Sequence, residues 1–191
     1  MSWLEQSFKE LCLQLKQGRG FSHSGTDPLY YLIFPPEKML EVKRQLNSWV
    51  AKLKHDGWQV QVFSMIDAVH NILMQHELRQ IWLESEKEDI FNFDDINKTL
   101  SDALMGTDAL KHTIRKQLER LRGQENALLL ITDLEAIHPY LRISSLEQKL
   151  QGKFYVPTVI LYPGLRTGRT ALKFLGIYAE DGSYRSVHIG E

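Results

Sequence analysis

One cysteine in 191 residues, Cys12, leaves no pair for an internal disulfide and no cysteine cluster for zinc. Long apolar runs are missing too, and nothing approaches the ~20 residues that cross a bilayer. Neither sign of charge prevails: 23 Lys and Arg stand against 24 Asp and Glu, a formal net charge of -1. The chain as a whole therefore has no electrostatic pull toward nucleic acid or an acidic membrane. The opening Met1-Ser2-Trp3-Leu4-Glu5 has neither a charged leader nor an apolar core, so a cytoplasmic location is the expectation. None of the seven histidines forms the i, i+4 pair with a glutamate that a zincin needs. There is no Gly-x-Ser-x-Gly elbow for a serine nucleophile. A phosphate loop of the Gly-x-x-x-x-Gly-Lys-[Ser/Thr] type is absent where it would matter, after the first strand. That position reads Phe34-Pro35-Pro36-Glu37-Lys38-Met39. Two prolines remove N–H donors, and Glu37 repels an anion.

What is present alternates between two periods. Leu4, Phe8, Leu11 and Leu15 form one helical stripe, with Cys12 beside it as a small boundary residue. Leu29 to Phe34 is a short apolar run, read as a buried strand. Pro35-Pro36 opens a helix with Met39, Val42, Leu46, Trp49, Val50 and Leu53 inward, and Gly57 stops it. Trp58, Val60 and Val62 alternate with Gln59 and Gln61 as a second strand. A helix with Ile66, Val69, Ile72 and Leu73 inward follows. Strand–helix–strand spacing implies crossovers and a parallel sheet. Leu128 to Ile131 predicts a central strand, Pro139 to Leu150 a helix, and Val156 to Leu161 another strand. Phe174–Tyr178 and Tyr184–Ile189 read as a closing hairpin turned at Asp181-Gly182. The expected fold is α/β: one domain over residues 1–191, a mostly parallel sheet flanked by helices. It is expected to resemble a P-loop nucleotide-hydrolase core without a functional phosphate loop, carrying an acidic loop plus helical insert at about 84–122 and a C-terminal hairpin.

Four stretches bear on function. Between Glu84 and Asp95 lie six acids against Lys87, interrupted by Phe91 and Phe93. The bland reading is a solvated connection. The functional one is a docking segment in which Glu88 and Asp89 steer a basic partner and Phe91 and Phe93 anchor it. Next comes a basic amphipathic helix, with Lys111, Arg115, Lys116, Arg120 and Arg122 around Leu110, Ile114, Leu118 and Leu121. It is either a solvated face or a phosphate contact. The strand ending at Asp133 looks like one that presents an acid to magnesium. If that strand continues, Asp133 and Glu135 point to opposite faces and make a poor carboxylate pair. His138 is read as a packing residue at a helix entry. Finally, Tyr162-Pro163-Gly164 opens a basic loop, Gly164 to Thr170, that is one residue short of a phosphate loop and has arginine for lysine.

Several of these residues carry a resemblance. Leu128-Leu129-Leu130-Ile131-Thr132, Pro139-Tyr140-Leu141-Arg142, Ser145-Leu146, Pro157 through Gly164, Gly168, Leu172 to Gly176 and Tyr184-Arg185 resemble, in order and spacing, the BrxB family of BREX bacteriophage-exclusion systems. BREX systems restrict phage propagation and mark the host by DNA methylation. The resemblance implies a non-enzymatic adaptor or scaffold with no cofactor, no metal and no catalytic residue. A PglZ phosphatase-like protein is the first partner it implies; a BrxC ATPase, a methyltransferase or a second copy of the chain are further ones. The expected contacts are Arg142, Tyr162, Arg166, Arg169, Tyr184 and Arg185, since tyrosine and arginine anchor interfaces. The competing reading of each is structural. Two alternatives stay open: a nucleic-acid-binding accessory of the same system, and a degenerate nucleotide-binding protein.

Overall fold

The structure, a computed structural model, describes residues 2–18, 27–88, 91–106, 108–168, 171–180 and 186–190. Its centre is a six-stranded sheet. The strands are β1 (Leu29–Phe34), β2 (Gln59–Ser64), β3 (Ala127–Thr132), β4 (Thr158–Thr167), β5 (Ala171–Phe174) and β6 (Val187–Gly190). The spatial order is β2-β3-β4-β1-β6, all parallel, and β5 pairs antiparallel with β4. Every residue of β1 and β3 is buried. This is why both read as unbroken apolar runs: a parallel strand covered on both faces has no solvent side to alternate with.

The strands divide their side chains between two cores. Tyr30, Leu32, Leu128, Leu130, Val159 and Leu161 pack under α1 (Trp3–Gly18) and α2 (Met39–His55). Tyr31, Ile33, Leu129, Ile131 and Ile160 pack under the opposite helices. Those are α3 (Met65–Met74), α6 (Ala109–Leu121) and α7 (Ile143–Leu150). A Ser2–Glu5 capping box starts α1, each backbone N–H donating to the other's side chain. Gly57, at φ 87°, takes the left-handed turn that ends α2. The crossover from β2 to β3 also holds α4 (Arg79–Glu88) and α5 (Phe93–Met105). α5 packs on α3 and α6. Among the described residues no helix is long and apolar enough to cross a membrane.

The structure corrects five local expectations. Among the described residues the acidic stretch is mostly helical: Glu84 and Glu86 lie on α4, and Asp94 and Asp95 lie in the first turn of α5, where acids complement the helix dipole. The helical excursion thus begins at Arg79. Ile66 on α3 is 53% exposed, because Met65, Ala68 and Val69 take the inner face. α7 begins at Ile143 rather than Pro139, after a short 3-10 helix at Leu134–Ile137 and a cis His138–Pro139 bond. The basic loop is largely strand, since β4 runs on to Thr167 and turns back into β5. A Cβ at Gly164 would meet the Lys173 carbonyl oxygen at 2.5 Å, so only glycine permits that approach. Lastly, β5 and β6 do not form the expected hairpin: β5 pairs with β4, and β6 lies parallel to β1. The predicted turn, Asp181-Gly182, lies outside the described residues.

Candidate functional site

The carboxyl ends of parallel strands are where open α/β sheets hold ligands. Here the chain leaving β1 enters a short 3-10 helix, Pro36–Lys38, with no side-chain cap, and then α2. The second turn of α2 carries Lys43 toward the end of β3. β3 stops at Thr132, and Asp133 adopts a left-handed φ of 57°. That turn, which aspartate tolerates better than most residues, brings Glu135 round to the side of Asp133. Lys43 Nζ lies 3.0 Å from Asp133 Oδ1 and also binds Glu135 Oε1. The condition under which Asp133 and Glu135 would face apart, a strand running through both, is not met, because the strand ends before them.

Two hydroxyls complete the cluster. Thr132 Oγ1 donates to Asp133 Oδ2 at 2.8 Å, and Ser64 Oγ, at the end of β2, donates to the same oxygen at 2.9 Å. Burial pushes the Asp133 carboxyl upward, but hydrogen bonds from Thr132, Lys43 and Ser64 outweigh it and hold the group below the usual carboxylate range. Burial likewise disfavours the Lys43 ammonium, yet bonds to Glu135 and Asp133 hold it above the ordinary lysine value. The remaining space among Phe34, Met39, Lys43, Thr132, Asp133 and Leu161 is about 20 Å³. That admits about one water, against the ~300 Å³ or more of a ligand pocket. The arrangement offsets one of the two carboxylate charges and joins α2, β2 and β3. Sequence reasoning singled out Asp133 but missed Lys43, whose partners are distant in sequence.

The expected contact residues separate into groups. Tyr162 is 1% exposed and stands edge-on to Tyr31 and Phe174, with centroids at 5.7 and 5.4 Å. It is a core residue, because β4 continues past it and β5 covers it. Arg166 is exposed, and its Nη2 donates to the His188 carbonyl at 3.0 Å, joining β4 to β6. Burial, with Arg166 nearby, pushes the His188 imidazole down to about 4. Arg142 is exposed at the start of α7. His138 beside it stacks on Phe174 at 4.4 Å and on Tyr178 at 3.8 Å, a packing role. Asp89, Arg169, Tyr184, Arg185 and the side chain of Glu88 lie outside the described residues.

The basic helix α6 buries Leu110, Ile114, Leu118 and Leu121. Its charges are partly engaged: Lys111 binds Asp108, Arg115 and Arg122 approach Glu119, and Arg122 lies 4.5 Å over the Tyr155 ring. Phe91 and Phe93 are exposed, at 78% and 64%. Beside them, α4 and α5 enclose a cleft of about 220 Å³ lined in part by Trp82, Leu83, Glu86, Asp95, Ile96 and Leu100. Sequence reading missed this cleft. The signal was the apolar spacing of Trp82, Leu83, Ile96 and Leu100, hidden among the acids.

The family model described as BREX protein BrxB matches residues 61–189. No curated protein and no solved structure matches the chain.

Proposed function

The chain belongs to the BrxB family of BREX phage-defence components, and on that premise we propose that it is a non-enzymatic adaptor, holding a larger BREX protein rather than transforming a ligand. The observation that carries this reading is the filled carboxyl edge. An acid ends β3 and a helix follows β1, as in a P-loop nucleotide-hydrolase core, and we read the sheet as such a core that has lost its grip on phosphate. Pro35, Pro36 and Glu37 stand where donors would be needed, and Lys43 pairs with both acids and leaves about 20 Å³ beside them. The exposed arginines Arg142 and Arg166 remain proposed contacts; buried Tyr162 does not.

The first proposed partner is the PglZ-like protein of the same system. Co-purification of the tagged chain with each BREX protein tests the reading. Stable recovery of one larger partner is expected, and recovery of none argues against an adaptor. Reversing charge at Arg142 and Arg166 tests those two positions, with unchanged recovery removing them from the contact surface.

A further inference from the structure

We propose that the cleft between α4 and α5 is the docking groove of the adaptor, and that its occupant is a basic amphipathic helix of a partner protein. The inference rests on the adaptor reading and gives it a surface and a partner chemistry.

Three observations converge on this place. The first is apolar exposure. Of the twelve large hydrophobics exposed among the described residues, Met74, Leu78, Ile81, Leu83, Phe91 and Phe93 fall within twenty positions. Of these Leu83 lines the cleft and the other five flank it in sequence; exposed apolar side chains gathered in one stretch point to an interaction site, whereas scattered ones mean nothing.

The second is the seating of α4. None of its residues from Arg79 to Lys87 is buried, and only Arg79 and Trp82 are even partly so. A ten-residue helix draws little stability from its own hydrogen bonds in water, where about 12–15 residues are marginal. Tertiary packing normally supplies the rest. Here the inward face gains a half-open cleft, and the ring of Trp82 is held against His76 at 4.4 Å. A second helix laid along Trp82, Leu83, Ile96 and Leu100 would complete the packing that the chain itself leaves unfinished. The cleft, at about 220 Å³, accepts a few large side chains from such a helix, which reads as i, i+3 or i+4, i+7 anchoring.

The third is charge, and it selects the occupant. Residues 77–102 hold eight acids and three bases, whereas the rest of the chain holds sixteen acids and twenty bases. The near-neutral total therefore hides an acidic excursion on a basic body. Glu86 and Asp95 line the cleft itself, with Arg79 as the one cation among its described lining residues. Asp95 is partly engaged, because Asn92 Nδ2 donates to its carboxylate at 2.6 Å. Such a rim attracts lysine and arginine on a partner and repels nucleic acid.

The test uses two synthetic amphipathic helices with the same leucine spacing, one with lysines on the polar face and one with glutamates. Each is titrated into the full chain while tryptophan fluorescence is followed, with Trp82→Phe identifying the reporting ring. The lysine helix is expected to bind saturably and more weakly in high salt, and the glutamate helix not to bind. Two variants at exposed positions, Leu83→Glu with Phe93→Glu and Glu84→Lys with Glu86→Lys, should each weaken binding about tenfold or more while circular dichroism stays unchanged. Binding to both variants as tight as to the wild type, or no binding of the lysine helix, overturns the groove. A wild-type dimer that these variants dissociate in sedimentation overturns the partner assignment, since the occupant is then a second copy. The same variants in the BREX co-purification separate the two claims. If the wild type and variants recover a partner equally, the adaptor stands and the groove falls. If the wild type recovers none, the adaptor falls, while the peptide titration still reports on the groove.

Discussion

Removing the Lys43 ammonium leaves Asp133 and Glu135 without their shared counter-charge. Lys43→Met is expected to cost about 1 to 2 kcal/mol at neutral pH, the modest size reflecting partial exposure of the pair. The pH dependence gives the sign. Asp133 is held below the usual carboxylate range in the folded chain, so its stabilisation is present above about pH 4 and lost as pH falls through the folded value. The difference between wild type and Lys43→Met in urea denaturation should therefore shrink below pH 4; a constant difference would assign the effect to packing. His188 acts in another window. Its folded value of about 4 lies below the ordinary ~6.5, so the unfolded chain binds the proton first and stability falls between pH 6.5 and 4. His188→Gln should flatten that slope, and parallel curves for the two proteins would show that other groups set it. Asp133 was legible as a strand-ending acid, but its cation was not, because Lys43 is ninety positions away in sequence and meets it only across the sheet edge.

α4 and α6 are both amphipathic, yet their sequences conceal opposite fates. α6 buries four side chains against the sheet, whereas α4 buries none among its described residues. Global unfolding should therefore register glycine in one and not the other. Lys116→Gly on the exposed face of α6 is expected to cost about 1 kcal/mol. Glu84→Gly on α4 should leave the global midpoint nearly unchanged, because α4 opens locally without disturbing the core. Equal losses by chemical denaturation would contradict this account of α4 as an unfinished element. The strands show a similar division. β1 and β3 were readable because burial on both faces leaves a plain apolar run. The end of the chain was misread because the Asp181-Gly182 turn signal is local, whereas β6 takes its partner, β1, from more than 150 residues upstream.

At the scale of the whole molecule, two features set what the fold can hold. Beside Asp133 the carboxyl edge of the sheet leaves room for about one water, and the net negative charge is gathered on the α4–α5 excursion. Isothermal titration with Mg-ATP is expected to give no heat up to millimolar ligand; saturable heat would reopen the nucleotide-binding alternative. The sequence by itself determined the α/β class, the buried strands, the prolines and acid that follow the first strand, and the family likeness in the final third. These are local facts: periodicity, backbone donors and residue order survive without knowledge of what lies across the sheet. Only the tertiary structure decided that Tyr162 is core rather than contact, that Lys43 spans Asp133 and Glu135, and that α4 stands without a core of its own. Each depends on which distant segment arrives beside a residue, and burial and charge pairing are properties of neighbours in space.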